Sequence, residues 1–250
     1  QLEQGARARG YQLLIASSDD APDSERQLLK LFRARRCDAL FVASCLPAAD
    51  DSYRKLQDLG IPIIAIDRTL EPSRFCSVIS DDCEASLQLT RSLLQPIPRQ
   101  IALIGARPEL SISQARAAGF KQALEDFDGE ILIEHGAAFS RECGRGIIDD
   151  LLARQGHFPE ALITTSYVLL QGMFDALLEH PTQRPPLRLA TFGDTQLLDF
   201  LPLPVNAMGQ QHKLIAEKAL DLAVAAIEQQ LYEPGIHAIA RVFKQRIHQA

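Results

Sequence analysis

The chain has 250 residues, 46% of them hydrophobic and 23% charged, with 14 prolines; this composition belongs to a folded globular protein and excludes a disordered or fibrous one. Asp and Glu outnumber Lys and Arg by 32 to 26, for a net charge of -6. No broad basic surface is therefore available to nucleic acid phosphates, and any DNA contact is expected outside this segment.

No run approaches the ~18 apolar residues of a membrane span, and no charged-then-apolar leader opens the chain, so a soluble protein without membrane contact is expected. The five cysteines, Cys37, Cys45, Cys76, Cys83 and Cys143, lack CxxC spacing and are odd in number. That argues against a disulfide framework and a zinc site, and suggests reduced thiols in a cytoplasmic protein.

Residues 1–10 read as the tail of an amphipathic helix with no strand before it to begin a βαβ unit, which suggests that residues are missing upstream. Short runs rich in Val and Ile at 11–16, 39–43, 63–66 and 76–79 read as buried strands. Helical spacing fills 24–35, after a cap-like Asp23, and 50–59, which ends at Gly60. This alternation predicts a parallel sheet covered by helices.

A helix over 82–94 runs into Pro96 and Pro98, where a crossing to a second lobe is expected. The pattern then repeats, with strands at 101–105, 131–135, 161–165 and 189–192 and helices near 113–124, 141–153 and 168–178. A proline-containing stretch at 201–209 leads into a long helix over 212–230, and the alternating tail 235–246 reads as two short strands or an extended crossing. The expected fold is α/β: two doubly wound parallel-sheet lobes, built from 1–96 plus 210–234 and from 97–209 plus 235–250, joined by several crossing segments.

Enzyme motifs are not found. There is no GxGxxG after a strand, no GxxxxGK[ST], no GxSxG and no HExxH. The six histidines form no pair at i, i+3 or i+4, and adjacent carboxylates such as Asp149 and Asp150 point apart on a helix. No catalytic residue, metal site or cofactor is predicted.

Polar residues do gather just beyond the carboxyl ends of predicted strands, where open parallel sheets place their ligand crevice. They are Ser44; Asp67 and Arg68; Ser80, Asp81 and Asp82; Arg107, Ser111 and Ser113; Phe139, Ser140 and Arg141; Thr165, Ser166 and Tyr167; and Gly193 with Asp194. Carboxylates to accept from hydroxyls, arginines for an anion and aromatic faces for a sugar suit a polyol bearing a phosphate. A helix start near Ser113, with Arg116 one turn in, offers donors to a phosphate oxygen.

The strings GYQLLIASSDD (10–20), AIDRTLEPSRFCSVISDD (65–82), ALIGARPELSISQARAAGF (102–120), TTSYVLLQG (164–172) and ATFGDTQLLDFLPLPVNAMGQQH (190–212) resemble the effector-binding domain of LacI-type bacterial transcription regulators, relatives of periplasmic sugar-binding proteins. The longer strings resemble its fructose-responsive branch. The resemblance implies a repressor's sensing half that binds fructose 1-phosphate, with fructose 1,6-bisphosphate the weaker candidate.

It places the family's ligand arginine on Arg116 and its hydroxyl-reading carboxylate on Asp194, and further cleft positions on Asp81, Asp82, Phe139, Ser166, Tyr167 and Gln210. It further implies an N-terminal helix-turn-helix and a first strand, neither present in this segment. Operator DNA is then a partner through that head, in a homodimer or a tetramer. The expected mechanism is a ligand that bridges the lobes, favours a closed form and releases the protein from DNA. The rival readings are a periplasmic transport receptor and a sugar-phosphate enzyme.

Overall fold

A computed structural model describes residues 1–180 and 187–246. Its chain divides into two units, Gln1–Ser80 with Gln211–Ile239, and Asp81–Gln210 with Ala240–Ala250.

In unit 1, helices α1 (Leu2–Ala8), α2 (Pro22–Ala34) and α3 (Ser52–Gln57) accompany strands β1 (Leu40–Val42), β2 (Ile63–Ile66) and β3 (Cys76–Ser80). The long helix α8 (His212–Glu228) and strand β9 (Gly235–Ile239) return to this unit late in the chain. The sheet is wholly parallel in the order β1-β2-β3-β9. Its apolar strands are covered on both faces: Leu29, Tyr53, Leu56 and Phe75 pack with Ile63, while Ile215, Ala219 and Ala223 pack with Ile64 and Val78. Burial on both sides is why these strands read as unbroken apolar runs and not as alternating ones.

Unit 2 carries α4 (Asp82–Arg91), β4 (Gln100–Ala106), α5 (Ser111–Ala123), β5 (Glu130–Gly136), α6 (Arg141–Gln155), β6 (Ala161–Thr164), α7 (Tyr167–Glu179), β7 (Arg188–Phe192), a 3-10 turn at Gln196–Phe200, β8 (Val205–Gly209) and β10 (Val242–Lys244). The sheet order is β10-β8-β7-β6-β4-β5, and only β10 runs antiparallel to its neighbour. Two apolar layers flank it. Ile148, Phe158, Leu170 and Met173 lie with Ile104 and Leu162, and Leu89, Phe120 and Leu124 lie with Ile101, Leu103 and Ile163.

Three expectations need correction. Residues 11–16 form no strand: the segment pairs with no ladder, and Leu14 and Ile15 are 60% and 80% exposed. Asp23 is not the cap of α2, because Ala21 holds that position, Pro22 opens the helix and Asp23 pairs with Arg26 inside the first turn.

The unit boundaries also move. The first passage falls at Ser80–Asp81 and not near Pro96, since Ala85, Leu89 and Leu93 bury against Ile101 and Phe120. Residues 235–239 belong to unit 1, where β9 pairs with β3 from Cys76↔Gly235 to Ser80↔Ile239.

Close packing of the helices depends on glycine at two places. A Cβ on Gly119 would stand 2.0 Å from the Cys83 carbonyl oxygen, and one on Gly172 would stand 2.0 Å from that of Arg141. Backbone-to-backbone approach of this kind leaves no room for any side chain, and it draws α4 onto α5 and α6 onto α7.

Candidate functional site

The first turn of α4 and the strand ends of unit 2 build a charged centre. Asp81 caps α4 by accepting from the Glu84 backbone N–H at 3.2 Å, which leaves the next residue, Asp82, to turn inward at 5% exposure. Arg116, carried by α5, donates Nε to Asp82 Oδ1 at 2.8 Å and Nη1 to the Thr165 carbonyl at 2.5 Å. Arg241, between β9 and β10, donates Nε to the same Asp82 oxygen at 3.0 Å.

Both guanidiniums lie against Phe192 at the end of β7, 4.3 Å and 5.3 Å from its ring centroid. Two cations on one carboxylate leave this trio with a formal charge of +1, in surroundings where water is scarce and an anion is strongly favoured. Arg241 uses only its Nε here, so the remaining fork is turned to no partner among the described residues. The Thr165 Oγ1 hydroxyl, wholly buried beside the Arg116 contact, likewise has no hydrogen-bond partner among the described residues. Buried polar groups are nearly always satisfied, so this hydroxyl is free to bond a water or a bound ligand.

Asp194 follows Phe192 through Gly193, whose φ of +94° is left-handed and whose Cβ, were there one, would meet Tyr167 at 3.1 Å. Its Oδ1 accepts from Arg246 Nη2 at 2.6 Å.

Other residues singled out in the sequence are held by local structure. Ser113 donates its hydroxyl to the Ala106 carbonyl at 2.7 Å, and α5 begins earlier, at Ser111. Ser140 and Ser166 cap α6 and α7. Arg141 makes two 2.6 Å hydrogen bonds to Asp175 of α7. Arg107 has a φ of +49° and donates Nε to Glu109 at 2.7 Å. Phe139, Tyr167 and Gln210 are half-buried.

In unit 1, Arg68 donates to Asp20 Oδ1 at 2.6 Å and to the Ser44 carbonyl at 3.3 Å. Burial works against the Arg68 charge, but Asp20 outweighs it, and its pKa stands above the ordinary arginine value. Asp67, at a φ of +67°, donates its N–H to the Val78 carbonyl, and Ser80 closes β3.

Ser44 in turn donates to Glu25, a buried carboxylate that also accepts from the Cys45 N–H at 2.8 Å, from the Cys45 thiol at 2.9 Å and from the Tyr53 hydroxyl. Burial, followed by the Glu25 hydrogen bond and charge, pushes the Cys45 thiol up to about 11. All five cysteines are free thiols.

Sequence reasoning missed Arg241, Arg246 and Glu25. A lone arginine inside the apolar string Ile239-Ala240-Arg241-Val242-Phe243 is a signal for the first. Nothing local distinguishes the other two from surface charges. Among the described residues no group of three or more His, Cys, Asp or Glu side chains could hold a metal ion, and no helix is long and apolar enough to cross a membrane.

Comparison with known proteins adds context. The profile of periplasmic binding proteins and the sugar binding domain of the LacI family matches residues 1–186. The fructose operon regulatory protein of Vibrio cholerae is 46% identical over 98% of this chain and 74% of its own length. The catabolite repressor/activator of Escherichia coli is 37% identical over 96% of this chain and 72% of its own. Among solved structures, the Cra transcriptional dual regulator from Pseudomonas putida in complex with fructose 1-phosphate is 69% identical, with a TM-score of 0.95, over 98% of this chain and 91% of the other.

Proposed function

This chain belongs to the family of periplasmic binding proteins and LacI-type sugar-binding domains, and we propose that unit 2 binds fructose 1-phosphate at the strand ends around Arg116, Arg241, Thr165 and Asp194. It is the effector-binding part of a sugar-responsive transcription regulator, and its relatives are regulators of the fructose operon and of carbon catabolism. The observation that carries the ligand assignment is the buried pair Arg116 and Arg241 on the single carboxylate of Asp82.

In this reading the two guanidiniums supply donors to anionic or hydroxyl oxygens of the sugar phosphate. The guanidinium fork suits phosphate geometry, and charge-assisted bonds in a water-poor site are strong. The unpartnered Thr165 hydroxyl gains a partner from the ligand, and Asp194 accepts from a sugar hydroxyl. A neutral sugar without its phosphate leaves the excess positive charge uncompensated and binds more weakly.

Within the full-length regulator, effector binding lowers operator affinity because the ligand has unequal affinity for two forms of a DNA-binding homodimer. The work of such a regulator is in the cytoplasm, where phosphorylated sugars arise after uptake. Isothermal titration calorimetry of this chain with fructose 1-phosphate, against fructose and inorganic phosphate as controls, tests the assignment. Saturable heat with the sugar phosphate is expected; no heat at millimolar ligand would overturn it.

A further inference from the structure

We infer that Arg246, which stands outside the proposed ligand contacts, is a positioning residue that presets the Asp194 carboxylate for a sugar hydroxyl; the inference rests on the reading of Asp194 given above. The Arg246 side chain is 8% exposed, and its guanidinium is spent on three acceptors. Nη2 donates to Asp194 Oδ1 at 2.6 Å, Nε to Asp199 Oδ1 at 2.8 Å and Nη1 to the Val205 carbonyl at 3.0 Å. Its backbone N–H is anchored as well, on Asn206 Oδ1 at 2.9 Å, and Asn206 donates onward to Ser92 Oγ at 2.9 Å. The antiparallel register of β10 on β8, from Val242↔Gly209 to Lys244↔Ala207, brings Arg246 level with Val205 and in reach of the loop after β7.

That loop has little else to fix its carboxylate. Gly193 is left-handed, and its N–H donates to the Met208 carbonyl at 3.0 Å, which holds the backbone but not the Asp194 side chain. The side chain is 28% exposed, Oδ1 is engaged by Arg246, and Oδ2 has no hydrogen bond among the described residues. One oxygen is therefore clamped and the other is presented. A hydroxyl that binds there meets an acceptor whose rotamer is already chosen, so less side-chain entropy is lost on binding.

Asp199 does not need Arg246 for charge balance, since Lys244 Nζ reaches both its oxygens at 2.7 and 2.9 Å. The Asp194 contact is thus separable from the Asp199 contact, and the two can be told apart by substitution.

The test is a double-mutant cycle read by calorimetry with fructose 1-phosphate, with the fold of each variant checked by thermal melting. Arg246→Met is expected to weaken binding by about tenfold. The same substitution in an Asp194→Ala background is expected to change affinity by less than about twofold, because the side chain through which it acts has been removed. Arg246→Lys restores part of the loss, and Asp199→Asn leaves affinity within about twofold of wild type.

An unchanged affinity for Arg246→Met, or an equal loss in both backgrounds, overturns the positioning role while the ligand assignment stands. If Arg246→Met does not fold, Arg246→Lys in the two backgrounds gives the same comparison. Absence of binding by the unaltered protein overturns the ligand assignment and this inference together.

Discussion

Arg116 and Arg241 set their Nε atoms on one and the same oxygen, Oδ1 of Asp82, at 2.8 and 3.0 Å, although they stand 125 positions apart in the chain (241 minus 116). That carboxylate is the acidic partner the two buried guanidiniums share. Asp82→Ala strands two buried cations, and a loss of about 3–5 kcal/mol of stability is expected. Urea denaturation measures it, and a loss under about 1 kcal/mol would show that solvent reaches the pair.

Arg116→Ala should weaken fructose 1-phosphate binding by at least about tenfold, one charge-assisted hydrogen bond being worth roughly 1.5–3 kcal/mol. Calorimetry decides this directly. An unchanged affinity would remove Arg116 from the ligand site and leave it a structural partner of Asp82 and the Thr165 carbonyl.

Gly119 couples packing to the same centre. A methyl group there collides with the Cys83 backbone, one residue beyond Asp82, and forces α4 away from α5. Gly119→Ala is expected to cost about 1–3 kcal/mol through overpacking and to weaken effector binding as well, because Asp82 and Arg116 lie on the two separated helices. Stability lost with affinity intact would mean that the helices part elsewhere.

Cys45 gives unit 1 a signature in alkaline solution. Its thiol pKa rises from 9.0 to about 11 through burial and the Glu25 contact, so the folded chain keeps a proton that the unfolded chain releases. Below pH 9 this contribution is fully present, and it is lost as pH climbs from about 9 to about 11. Thermal melts of the wild type and of Cys45→Ala across that window should converge with rising pH. Parallel curves would mean that the thiol has an ordinary pKa.

Much of the fold was legible because strands buried on both faces must be apolar throughout, as at Ile63–Ile66 and Ala161–Thr164. Residues 11–16 are also mostly apolar and yet fail, since a ladder needs a neighbour and composition does not supply one. Arg116 and Asp194 were singled out in the sequence by helix-start and strand-end positions together with the family resemblance, and both are contacts of the proposed site. Arg141 occupies an equally suggestive position, yet its side chain lies along Asp175. Position fixes where a Cα sits, and the partner decides where five donors point. Arg241 and Arg246 were hidden because their partners, α4 and β7 for the first and the β7–β8 connection with β8 for the second, are far away in the chain, and no local pattern encodes such a meeting.

The chain passes between its units three times, at Ser80–Asp81, Gln210–Gln211 and Ile239–Ala240, and the first and last of these passages leave from β3 and β9, where Ser80 and Ile239 are register partners. Neither unit is therefore inherited as an uninterrupted stretch of coding sequence. A nonsense codon after residue 210 deletes α8 and β9 from unit 1 and β10 from unit 2 in one stroke, taking Arg241 and Arg246 with them. A lesion confined to the last 40 of these 250 residues thus strikes both units at once.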